Sequence, residues 1–367
     1  MFAFARCFFV ILVIALLPGV ASAQSDLESL VAQTGVEPGD TATRDHPRWR
    51  EPRKIVVRDI AGLYDGLAAS DPGVELVRVR SEAEAIAAAP GADAILGYCS
   101  AGILDAATDA VWIQVFSAGV ESCVVHDRIR SGDVVLTNMQ KMSSPVIAEH
   151  VVAMMLSLSR ALPAYAKKME SGQWLRGREH TGPMQSYGGK TVLIVGLGGI
   201  GTEVARRAAA LDMRVVATRR SSREGPEFVD YVGLSGELPE LAARADFIVN
   251  ALPLTDETAG LFDAEFFAAA KDGAHFINVG RGKTVVTADL VAALESGQLA
   301  GAGLDVTDPE PLPSNHPLWQ MDNVIITPHI SSRGGNFIRH GLLAAENLRR
   351  FAAGEALFNV VDPDAGY

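Results

Sequence analysis

The sequence predicts an α/β protein built on two parallel sheets, and three observations carry that expectation. Short apolar runs alternate with helical patterns from Lys54 onward, which is the rhythm of βαβ units. The same rhythm resumes at Thr191 and continues to Thr327. Between the two stretches, the β-branched run Thr191 to Val195 breaks into Gly196-Leu197-Gly198-Gly199-Ile200-Gly201 and continues as an alanine- and arginine-rich helix pattern. With 367 residues, 48% hydrophobic and 21% charged, the chain is long enough for two domains of usual size. A formal charge of −12 argues against nucleic acid or an anionic membrane as partner, because both reward net basicity.

Residues 1–23 read as a secretory signal peptide. Arg6 supplies the positive region, Cys7 to Leu17 the apolar core, and Ala21-Ser22-Ala23 the small-residue cleavage pattern. The apolar run is shorter than the ~20 residues a membrane-spanning helix needs, so the expected outcome is cleavage after Ala23 and a periplasmic or secreted protein. A misassigned start would instead leave a cytoplasmic one. Residues 24–52 lack sustained periodicity and are expected to form a linker or surface arm. Two cysteines then remain, Cys99 and Cys123, which could pair in an exported protein but are expected as free, partly buried thiols, and no cysteine, histidine and carboxylate spacing predicts a metal site.

Strands are expected at Lys54 to Val57, Val74 to Val79, Ala92 to Gly97, Trp112 to Ser117 and Val134 to Thr137, with helices at Glu82 to Ala89 and Ala101 to Ala107. Ser144 to Ser171 reads as one long helix opening at Pro145, with Met154 and Met155 as core residues. In the GxGxxG segment each glycine has its own steric task. Gly196 allows the tight turn, Gly198 lets a pyrophosphate approach the backbone, and Gly201 lets helix and strand pack closely. Gly199 and Ile200 belong to the same cofactor-binding turn, and the phosphates would sit at the N-terminus of the helix that follows, Thr202 to Leu211. The pattern predicts a Rossmann-type dinucleotide site. The next strand, Arg214 to Thr218, ends in Arg219-Arg220-Ser221 where an acid would bond the ribose of NAD, so NADP(H) is the preferred cofactor and NAD(H) the alternative.

Further strands are expected at Asp246 to Ala251, Ala274 to Val279, Gly301 to Val306 and Val324 to Thr327, with Thr287 capping a helix Ala288 to Ser296. Four strand ends carry unusual residues: Leu252-Pro253-Leu254-Thr255, Asn278-Val279-Gly280-Arg281-Gly282, Leu304-Asp305-Val306 and Thr327-Pro328-His329. In an open α/β sheet the ligand crevice lies outside the carboxyl ends of the strands, so these segments should converge there. His275 lies inside an apolar run and is expected to be structural.

On these motifs, together with Gly303 to Pro313, Phe116-Ser117-Ala118-Gly119 and Ala148-Glu149-His150, the chain resembles the D-isomer-specific 2-hydroxyacid dehydrogenase family, and its glyoxylate/hydroxypyruvate reductase branch in particular. The resemblance implies two Rossmann-like domains. A flavodoxin-like substrate domain would span residues 53–147, completed by 331–367, and an NAD(P)-binding Rossmann domain residues 148–330. It implies a homodimer acting on a small 2-keto or 2-hydroxy acid. It also implies that Arg281, Glu310 and His329 are catalytic, that Asp305 contacts the nicotinamide, that Leu252, Pro253, Val279 and Gly280 line the cofactor, and that Ala118 and Gly119 meet the substrate carboxylate.

The chemistry asks for the same three side-chain types. Arginine grips a carboxylate with a planar fork. Histidine, with an unperturbed pKa of ~6.5, can deliver a proton near neutral pH. A carboxylate beside it orients the ring. The sequence departs from the family pattern at Arg219, where an acid is usual, and at Val286, where an acidic or amide residue is common. A non-catalytic protein that binds a dinucleotide and a partner on the same fold is the competing expectation.

Overall fold

Two parallel sheets organise the computed structural model, which describes residues 18–60, 62–69, 73–169, 172, 174, 184–335 and 337–365. Residues 1–17 of the expected leader, His180 and Asn336 lie outside the described residues. The chain enters through α1 (Pro18–Thr34) and then alternates β1 (Lys54–Arg58), α2 (Leu63–Ala69), β2 (Glu75–Val79), α3 (Glu82–Ala88), β3 (Ala94–Leu96), α4 (Ala101–Ala106) and β4 (Trp112–Gln114). Two single-turn helices, α5 (Glu121–Val124) and α6 (Asp127–Arg130), lead to β5 (Val135–Thr137). The strands lie in the order β2-β1-β3-β4-β5, all parallel. That is the flavodoxin-like arrangement. Strands β3 and β4 are fully buried and β1 is buried at its three central residues, which is why all three read as unbroken apolar runs.

The chain crosses through α7 (Ser144–Ser159) and α8 (Leu162–Met169) to a second unit. It comprises β6 (Thr191–Val195), α9 (Gly199–Ala209), β7 (Arg214–Arg219), β8 (Tyr231–Leu234), α10 (Leu238–Ala242), β9 (Phe247–Asn250), α11 (Ala264–Ala269), β10 (Ala274–Asn278), α12 (Thr287–Glu295), β11 (Leu299–Leu304) and β12 (Val324–Ile326). The order β12-β11-β10-β9-β6-β7-β8 reverses between β6 and β9. Such a reversal is the switch point at which doubly wound sheets bind dinucleotides. Helix α7 covers this sheet, burying Met154 and Met155 among Ile194, Val249 and Ile277. Helix α13 (Ile338–Ala352) then returns to the smaller sheet, where Leu343, Ala344, Leu348 and Phe351 pack against Ile55, Val57 and Trp112.

Several expectations are corrected. The long helix from Ser144 is two helices bent by 73°. Ala161 takes φ +53°, and Pro163 follows one residue into α8, where its ring and missing N–H prevent continuation from α7. Residues 24–52 are not merely an arm: α1 runs to Thr34, and Leu30 and Val36 are buried in the core of the smaller unit. Leu27, Leu30 and Val31 form a helical stripe too short to stand out among alanines and polar residues. Thr287 is not a cap. It opens α12, Val286 precedes it without a capping bond, and its hydroxyl donates to Asp308 O at 2.6 Å. Cys99 and Cys123 are paired in a disulfide rather than free, with Cα atoms 5.7 Å apart, because they follow the neighbouring strands β3 and β4. Strand β8 was not anticipated; it is a four-residue edge strand with a glycine inside. No single helix among the described residues is long and apolar enough to cross a membrane.

His275 is structural, stacked on Phe247 with centroids 5.0 Å apart, and burial pushes its pKa down to about 4. Its neighbour Asp246 accepts from Thr191 N at 2.9 Å, Lys190 Nζ at 3.2 Å and Lys271 Nζ at 2.8 Å. Burial raises this carboxyl, but the bonds from Lys271, Thr191 and Lys190 outweigh it and hold the group below the usual carboxylate range. A depressed folded pKa means that its contribution is complete above the unfolded value of ~3.9 and is lost as pH falls through the lower folded value. Asp246→Asn is therefore expected to cost ~1–3 kcal/mol in urea unfolding at pH 7. The gap from wild type should close below pH ~4; a gap that stays constant with pH contradicts the assignment.

Candidate active site

The strand ends of the larger sheet stop in line. Val195 pairs with Asn250, Asn250 with Asn278, Asn278 with Leu304, and Leu304 with Ile326. Beyond these residues the loops are fixed by buried polar side chains. Asn250 Nδ2 donates to Asn278 Oδ1 at 3.0 Å and to Thr284 Oγ1 at 2.7 Å, while Asn250 Oδ1 accepts from Leu252 N and Asn278 Oδ1 from Gly280 N, both at 3.0 Å. The loops Leu252-Pro253 and Val279-Gly280-Arg281 are thereby locked to each other. Asn250 and Thr284 were missed in the sequence; an asparagine closing an apolar strand was the available signal.

At the switch point the glycine turn has the geometry a dinucleotide requires. Gly196 takes φ +95°, and a Cβ at Gly201 would collide with Gly196 O, so strand and helix approach as closely as backbone permits. Gly198 caps α9 without a side-chain bond, and a Cβ built there meets nothing within 4 Å. A pyrophosphate can therefore reach the N–H groups of Gly199 and Ile200 at the positive end of the helix. These residues fit an NAD(P) cofactor. Arg219, the last residue of β7, folds back over the turn and donates from Nη2 to Leu197 O at 3.0 Å. Arg220 and Ser221 follow it on the exposed rim.

Arg281 reaches across to the smaller unit. Its Nε donates to Glu121 Oε1 at 2.6 Å and its Nη1 to Gly280 O at 2.8 Å. A Cβ at Gly119 would collide with Arg281 Nη2, so in this arrangement the glycine lets the Ala118-Gly119 backbone lie against the guanidinium, and a larger residue would displace the guanidinium. That backbone is held in turn by Asn138 Nδ2, which donates to Ala118 O at 2.9 Å. Glu121 was not among the expected site residues, although it lies only two positions beyond Gly119.

His329 and Glu310 come together from the loops after β12 and β11. His329 Nδ1 lies 2.8 Å from Glu310 Oε1, with the two side chains 50% and 44% exposed, which leaves Nε2 as the ring atom free to meet a substrate. His329 sits in the left-handed region at φ +52°. Asp305 holds that conformation: its backbone O accepts from His329 N at 2.8 Å, and its carboxylate accepts from Ile330 N at 2.9 Å, Ser331 N at 3.0 Å and Thr327 Oγ1 at 2.7 Å. Burial raises the Asp305 carboxyl, but the donors from Ser331, Thr327 and Ile330 prevail and keep it below the usual range. His150 on α7, given no role in the sequence beyond the Ala148-Glu149-His150 motif, joins this network with Nε2 2.9 Å from Thr327 Oγ1.

A family model described as the NAD binding domain of D-isomer specific 2-hydroxyacid dehydrogenases matches residues 152–331. A glyoxylate reductase/hydroxypyruvate reductase of Homo sapiens is 39% identical over 265 residues, which make up 70% of this chain and 78% of that protein. Among solved structures, a D-isomer specific 2-hydroxyacid dehydrogenase from Xanthobacter autotrophicus Py2 in complex with NADPH and MES matches with a TM-score of 0.74 at 31% identity, covering 87% of this chain and 100% of that one. An NADPH-dependent glyoxylate/hydroxypyruvate reductase from Sinorhizobium meliloti in complex with NADP and sulfate matches with a TM-score of 0.73 at 29% identity, covering 86% and 100%. With its parallel sheets, glycine turn and aligned strand ends, the chain belongs to the D-isomer-specific 2-hydroxyacid dehydrogenase family, in its glyoxylate/hydroxypyruvate reductase-like branch, and is an NAD(P)-dependent oxidoreductase.

Proposed function

We propose that the protein reduces a small 2-keto acid, glyoxylate or hydroxypyruvate, with NADP(H) in preference to NAD(H), as an exported homodimer. The observation that carries the reaction is the His329 Nδ1 to Glu310 Oε1 contact of 2.8 Å at the carboxyl ends of the strands. Bound nicotinamide supplies the hydride. Arg281 grips the substrate carboxylate with the guanidinium N–H groups not already engaged, beside the Ala118-Gly119 backbone. His329 Nε2 gives a proton to the carbonyl oxygen as negative charge develops there, and Glu310 holds the ring through Nδ1 and balances its positive charge.

The cofactor preference is supported by Arg219, whose guanidinium lies over the glycine turn in the place of an acid, and by the NADP and NADPH complexes of the two similar structures. Export is supported by the Arg6 to Ala23 leader pattern, and the dimer by the usual assembly of the family.

Purified protein should oxidise NADPH with glyoxylate or hydroxypyruvate, and His329→Ala should lower kcat by roughly 10²–10⁴ while sparing NADPH affinity; unchanged turnover removes the proton donor. Arg219→Asp should weaken NADPH by about tenfold or more and leave NADH little affected. Equal losses for both cofactors refute the phosphate role. N-terminal sequencing of the protein from its native cell should begin at Gln24, and an intact Met1 would overturn export.

A further inference from the structure

Glu121 brings a negative charge to the group that must bind a negatively charged substrate, and neither hydride nor proton transfer requires it. We propose that Glu121 is a positioning residue. From the smaller unit it occupies the Nε side of Arg281, so that the arginine presents its Nη edge to the carboxylate of the 2-keto acid. This rests on the reductase reading above.

The donor count supports the assignment. A guanidinium has five N–H groups in a rigid fork. Glu121 Oε1 takes the Nε–H at 2.6 Å, and Gly280 O takes one N–H of Nη1 at 2.8 Å. Three remain, all on the two Nη atoms, and a forked grip on one carboxylate needs two of them. The Ala118-Gly119 backbone flanks the same edge: a Cβ at 119 would collide with Nη2 and lie 2.8 Å from Glu121 Oε2.

The post itself is fixed. Glu121 begins α5, its neighbours Val120 and Cys123 are buried, and Cys123 is joined to Cys99 in the loop that follows β3. An arginine side chain has several rotatable bonds whose freedom would otherwise be lost only when substrate binds. With the two side chains 28% and 39% exposed, the pair is partly screened, so its value lies in orientation more than in attraction. Its charge meanwhile repels the incoming carboxylate. Positioning and repulsion act in opposite directions, and two substitutions separate them.

Glu121→Ala removes both effects, whereas Glu121→Gln keeps an acceptor for Nε and removes only the charge. Oxalate binding to the protein–NADPH complex, read by titration calorimetry, and KM and kcat for glyoxylate supply the readouts. Glu121→Ala should weaken oxalate and raise KM by about tenfold with kcat changed less than about threefold, and Glu121→Gln should bind oxalate at least as tightly as wild type. Binding by Glu121→Ala that equals or exceeds wild type would make Glu121 a brake rather than a post and overturn the proposal. So would a parallel loss of NADPH affinity in Glu121→Ala, which marks a general defect. Wild-type protein that binds oxalate without reducing any keto acid would sink the reaction and leave the post standing, so the two failures are told apart.

Discussion

The site depends on a row of buried polar side chains at the ends of three neighbouring strands: Asn250 closing β9, Asn278 closing β10 and Asp305 just past β11. Where a parallel ladder stops, backbone donors lose their partners, and a buried N–H without one is costly. These side chains replace the missing ladder. Asn250 receives Leu252 N, Asn278 receives Gly280 N, and Asp305 receives Ile330 N and Ser331 N. The loops after β9 and β10 are therefore tied to the sheet two residues after leaving it, and the loop after β12 on both sides of His329, at Thr327, Ile330 and Ser331. The precision of the site is inherited from strand register.

That arrangement reconciles an apolar core with a polar crevice. The strands supply rigidity through fully buried residues such as Ile248, Phe276 and Leu193. The loops supply charge, and each charged side chain is tied through only some of its polar atoms. His329 is held through Nδ1, and Arg281 through Nε and one Nη1 hydrogen. The remaining atoms are left for a ligand. A site built this way loses little freedom on binding, because the ordering has already occurred during folding.

Both sheets and the glycine turn were legible in the sequence because their signals are local, whereas the Glu310–His329 pair was implied by the family resemblance. A β-branched run meeting glycines reads directly. What escaped was decided by contacts between distant segments. His150 and Thr327 are 177 positions apart, and Glu121 and Arg281 are 160 apart, so no window along the chain joins them. The break at Ala161 was locally visible in Pro163, but the apolar period continued across it. The Cys99–Cys123 pairing needed the β3–β4 adjacency, which spacing alone does not reveal.

The first and last segments of the chain close on one another. Thr43 donates to Glu355 O across 312 positions, Pro38 bridges to Phe358, and α13 supplies one wall of the β1–β5 core. During vectorial synthesis the smaller sheet must therefore wait, one face bare, until almost the whole polypeptide has emerged, while the larger sheet can condense earlier around contiguous segments. A unit that stays open until the last segment is made is exposed to chaperones and proteases while it waits.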